Sequence, residues 1–119
     1  MTFRVEFSAD AERDFEIIFE FLAESYIAFG EDIATALVHA ENRVQGIRED
    51  AGSLARAPHR GTLHNEILPG LRHTTIGNAV FWFDVDEASQ AVRILAVFFG
   101  SQDHQRRMLI RLFGSQWPG

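Results

Sequence analysis

Five histidines and eleven basic residues, every one of them arginine, are the groups with which this chain could move protons or hold phosphate. His104 lies just ahead of Arg106 and Arg107, so a side chain that titrates near neutral pH stands beside planar donors that fork onto phosphate. The same three residues equally make an ordinary polar helix face, which needs no attacking group. His59, His64 and His73 are spaced by five and nine positions, which matches no recognised zinc-ligand pattern, so no metal is expected. His39 falls in the middle of a helical stretch and carries no chemistry of its own. Without cysteine, disulfides, thiolate metal sites and thiol nucleophiles are excluded. Ser8, Ser25, Ser53, Ser89, Ser101 and Ser115 lack a glycine-flanked nucleophile elbow, and the nine glycines are scattered rather than gathered into a phosphate loop. No cofactor is expected.

Charge narrows the partners. Seventeen acidic residues oppose eleven arginines, a formal net charge of −6 and the reverse of the balance that phosphate binding favours. Strong direct binding of nucleic acid is therefore not expected. Up to Arg60 there are twelve acidic residues and six arginines, and beyond it five of each, so any phosphate contact must come from the carboxyl-terminal half. The length of 119 residues, with 46% hydrophobic residues and eleven phenylalanines, predicts one domain over residues 1–119 with one core. The first residues lack a signal peptide's apolar stretch, and no run approaches the roughly 18 apolar residues of a membrane span. A soluble cytoplasmic protein is the expectation.

The elements that must position these groups can be read from periodicity. Phe3, Val5 and Phe7 alternate with Thr2, Arg4 and Glu6, as in a strand with one buried face. Ser8 suits a helix N-cap, with Asp10 and Glu12 at the positive end of the dipole. Phe15, Ile18, Phe19, Leu22, Tyr26 and Phe29 share one arc at roughly 100° per residue, and Gly30 ends that helix. Ile17 and Phe21 lie outside the arc on a face of glutamates, a second apolar strip needing cover from this chain or another protein. A second helix is predicted over residues 31–49, with Ile33, Leu37, Ala40, Val44 and Ile47 on one face, antiparallel to the first. Residues 51–61 read as a loop, 63–68 as a short strand, and 71–76 as an extended segment after the Pro69 and Gly70 turn. Residues 79–85 and 91–99 form a hairpin of strands apolar enough to be buried on both faces, and residues 103–113 a short helix with Met108, Leu109 and Leu112 inward. One sheet face packs on the helical hairpin. The other is expected to await a partner unless the chain's own helices cover it.

That order, with LPGLRH at residues 68–73 and RILAVFFGSQD at residues 93–103, resembles the RelE/ParE family of bacterial type II toxins, closer to the ParE branch. The resemblance spans nearly the whole chain and implies an α+β fold, β-α-α-β-β-β, with a helical hairpin packed on a mainly antiparallel sheet of three to four strands. The family divides between ribosome-dependent ribonucleases and inhibitors of DNA gyrase that cut nothing. Arg72 occupies the family's basic position after the Pro-Gly turn, but Ala79, Ser101 and Gln102 stand where relatives often carry arginine. The depleted ribonuclease site points to the non-catalytic, gyrase-binding branch, with no catalytic residue. The resemblance also implies a ParD-like antitoxin partner in a hetero-oligomer, over Ile17, Phe21, Phe81, Phe83, Phe98 and Phe99, and a target-binding set of Arg72, Arg106, Arg107 and Trp117. The alternative is a RelE-type mRNA interferase with Arg72, His104, Arg106 and Arg107 near the scissile phosphate.

Overall fold

A computed structural model describes residues 2–100 and 103–114. In chain order the elements are β1 (Arg4–Phe7), α1 (Ala9–Ala28), α2 (Ile33–Gly52), a 3-10 turn (Ser53–Ala55), β2 (Thr62–Leu63), β3 (Arg72–Ile76), β4 (Ala79–Asp86), β5 (Ala91–Phe99) and α3 (His104–Phe113). The strands make one sheet in the order β1-β5-β4-β3-β2, with β1 parallel to β5 and every other neighbour antiparallel. The fold is the expected α+β, but the sheet has five strands rather than three to four. The fifth is the two-residue β2, which pairs only Thr62 with His73 and Leu63 with Arg72. Most of the strand expected over residues 63–68 is a turn instead, since Asn65 Oδ1 accepts from the Gly70 N–H at 2.8 Å.

Both long helices start where a short side-chain acceptor meets free amides. Ser8 Oγ accepts from the Ala11 N–H at 3.0 Å, and the Ser8 N–H donates to the Ile94 carbonyl at 2.9 Å, tying the start of α1 to β5. Asp32 accepts from the Thr35 N–H at 2.8 Å, so α2 begins at Ile33 and not at residue 31. The Thr35 amide, and then its hydroxyl, hold the Asp32 carboxyl below its usual pKa. Gly30 turns the chain between the helices at φ +108°.

Two cores lie on opposite faces of the sheet. Phe15, Ile18 and Leu22 of α1, with Ala40 and Ile47 of α2, pack on Phe81, Phe83, Val92, Ile94 and Val97. Each such large side chain contributes about 1.5–3 kcal/mol by leaving water. On the other face Leu71, Val80, Trp82, Ala96 and Phe98 are covered by Met108 of α3. The face expected to await a partner is thus closed in part by the chain's own third helix. β4 is buried on both sides from Ala79 to Phe83, as its unbroken apolar run predicts.

Candidate functional site

β1 pairs with residues 91–94 of β5 only, which leaves the outer edge of residues 95–99 without a strand. A part-buried ion pair occupies part of that edge. Asp14, on the inward side of α1, accepts from the Val97 N–H at 2.9 Å and from both terminal nitrogens of Arg111 at 2.6 and 2.7 Å. Arg111 also donates to the Leu95 carbonyl at 3.3 Å. The Asp14 carboxylate raises the Arg111 pKa further, so α3 is fastened to α1 through a guanidinium that keeps its charge. Beside it lies a groove of about 510 Å³, lined by Ile17 and Phe21 of α1, Phe98 and Phe99 of β5, and Arg107 and Ile110 of α3. Ile17 is 58% exposed and Phe21 54%, and the Arg107 guanidinium lies over the Phe98 ring at 5.4 Å.

The sequence-predicted partner residues divide here. Ile17, Phe21, Phe98 and Phe99 meet in the groove, whereas Phe81 and Phe83 are fully buried beneath the helical hairpin, where no partner reaches them. Their alternation with Trp82 puts them on the helix side of β4, and the helices fill that side. Arg106 is exposed on α3. Trp117, Ser101 and Gln102 lie outside the described residues.

A second cluster forms on the α3 side of the sheet. The register places His73 opposite Thr62 on one side and Trp82 on the other, and the chain leaving β2 brings His64 alongside. His64 Nε2 and His73 Nδ1 are 2.6 Å apart, and His64 Nδ1 lies 3.3 Å from Glu66 Oε1. The Trp82 ring sits 4.8 Å from His64 and 4.9 Å from His73, and His104, at the start of α3, is 4.7 Å from His73. Burial, then the charges of His104 and His64, push the His73 pKa down to about 4. Burial and then His64 lower that of His104 as well. Two buried polar atoms in the cluster, Trp82 Nε1 and His104 Nδ1, have no hydrogen-bond partner.

Arg72 does not join His104, as the ribonuclease alternative required. It stands opposite Phe83, facing the helical hairpin, and donates to the His59 carbonyl at 2.8 Å. His59 is paired with Glu87, away from the other imidazoles. Among the described residues no three histidine, aspartate or glutamate side chains are arranged to hold a metal ion, and no helix is long and apolar enough to cross a membrane. Sequence reasoning missed the Asp14–Arg111 pair and the meeting of His64 with His73. An aspartate inside an apolar helix stripe signals the first; two histidines flanking a Pro-Gly turn signal the second.

No protein-family model and no curated protein matches the chain. Solved structures do. The RelBE2 toxin–antitoxin complex from Mycobacterium tuberculosis aligns at TM-score 0.59 and 21% identity, over 83% of this chain and 99% of that one. The chromosomal ParDE toxin–antitoxin system from P. aeruginosa aligns at TM-score 0.61 and 19% identity, over 84% and 98%. The likeness is one of fold. It matches the fold that the sequence resemblance implied and reaches one Rel-type and one Par-type complex about equally.

Proposed function

We propose that this protein is the toxin of a type II toxin–antitoxin pair, held inactive by a cognate antitoxin as a hetero-oligomer. The observation that carries the reading is the groove beside β5. A fold shared with chains of two toxin–antitoxin complexes leaves the apolar side chains of Ile17 and Phe21 open to a partner, beside an inner strand's edge that no strand covers past Ile94 and that Asp14 and Arg111 occupy in part. A helix laid in the groove, or an extended segment along the edge, would bury Ile17, Phe21, Phe98 and Phe99. The acidic helical half favours a basic, ParD-like partner.

For the target, the net charge of −6 and the separation of Arg72 from Arg106 and Arg107 support ParE-like arrest by binding DNA gyrase, without cleavage of nucleic acid. One observation favours the second reading, a ribosome-dependent mRNA interferase: the meeting of His64, His73 and His104 around Trp82. Inducible expression in bacteria, with and without the neighbouring open reading frame, tests both. Arrest with DNA damage, intact mRNA and rescue by the neighbour supports gyrase; early mRNA fragmentation selects the interferase. Unaffected growth at verified expression sinks the toxin reading.

A further inference from the structure

We propose that a second groove, between α1 and α2, docks an amphipathic helix bearing lysine or arginine, from a partner other than the one that fills the groove beside β5. The inference stands on the helical hairpin alone and does not rest on the toxin reading.

This groove measures about 480 Å³ and is lined by the two helices only. Its apolar part is Phe15, Phe19 and Val44, of which Phe19 and Val44 are half-buried. Ile33 and Leu37 stand eleven and seven positions before Val44 in α2, which at roughly 100° per residue returns both to within about 20° of its direction. They carry the apolar line on to the tip of the hairpin, where Ile33 is 66% and Leu37 42% exposed. From residue 33 to residue 44 the line runs about 16 Å at 1.5 Å per residue, three turns of a docked helix.

Charge selects the occupant. Glu16, Glu20 and Glu41 line the same groove, exposed and without an ion-pair or hydrogen-bond partner among the described residues. Glu12 differs, since Arg48 holds it at 2.6 Å while lying over the Phe15 ring at that end of the groove. Residues 14–42 carry seven carboxylates and no arginine. Such a rim repels nucleic acid and anionic membrane surfaces, and a second copy in two-fold contact would set the same carboxylates against one another. A helix with apolar side chains at every third or fourth position fits instead: its stripe covers Phe19, Val44 and Leu37, and its flanking cations meet Glu16, Glu20 and Glu41. The partner is a separate one because the two grooves lie on different sides of α1. Phe19 is two positions from Ile17 and from Phe21, about 200° around the helix, and no residue lines both grooves.

Two synthetic helical peptides serve as probes, both with leucine at every third or fourth position, one with lysine and the other with glutamate between. Titrated into the full chain at low salt, the lysine peptide should bind and the glutamate peptide should not. Glu20→Gln combined with Glu41→Gln should weaken the lysine peptide about fivefold or more, and Leu37→Ser about tenfold. Glu49→Gln with Asp50→Asn removes as much charge elsewhere on α2 and should leave the affinity within about twofold. All five positions are exposed, so each variant should melt near the wild type. Saturation with the neighbouring frame's product should leave the peptide's affinity unchanged. Equal binding of the two peptides, equal losses in the two charge-removing pairs, or no binding of the lysine peptide overturns the proposal. Competition by the neighbouring product overturns the separate partner and gives both grooves to one. A dimer of the chain alone that Leu37→Ser dissolves gives the face to a second copy and overturns the basic helix.

Discussion

Asp14 is the residue on which most connections converge. Its carboxylate is buried and satisfies a β5 amide, while fastening α3 through Arg111. Removing one member of such a pair leaves the other group without compensation in a poorly hydrated place. Asp14→Ala should therefore cost about 3 kcal/mol in urea unfolding; a loss below about 1 kcal/mol would place the pair among the weak surface bridges. The residue type was visible in the sequence. Its role was not, because the arginine it meets lies 97 positions away.

At the scale of elements, periodicity and capping carried the reading far. The apolar stripe of α1 from Phe15 to Leu22, the Ser8 cap, the hairpin of β4 and β5 and the short α3 are legible in the residues, whereas Phe29, Ile33 and Leu37, expected on inward faces, are exposed at the end of the helical hairpin. β2 was misjudged, because a two-residue strand has no period to read and is held by its partner. Gly61 shows the cost of that pairing. At φ +88° a Cβ there would overlap the His73 carbonyl. Gly61→Ala should destabilise by about 1–3 kcal/mol, whereas Gly46→Ala, on an open helical site, should stabilise by about 0.5–1 kcal/mol. Chemical denaturation of the two variants side by side distinguishes a clash from a general effect of adding a methyl group. Equal changes in both would refute it.

Among the described residues an apolar groove lies beside a half-paired strand, and an imidazole cluster shares only α3 with it. Phe21 is exposed, so Phe21→Glu should leave the melting temperature close to wild type yet weaken capture of the neighbouring frame's product at least tenfold in a titration. Unchanged affinity would move the partner elsewhere. The sequence by itself determined the fold class, the helical hairpin, the central strands and the absence of thiol chemistry, since these follow from local period, capping and composition. Only the tertiary structure decided that Phe81 and Phe83 serve the core, that Arg72 faces away from His104, and that His64, His73 and His104 meet. The physical reason is that strand register sets which face each side chain takes. Register depends on pairing between distant segments, and a shift of one residue would reverse every assignment.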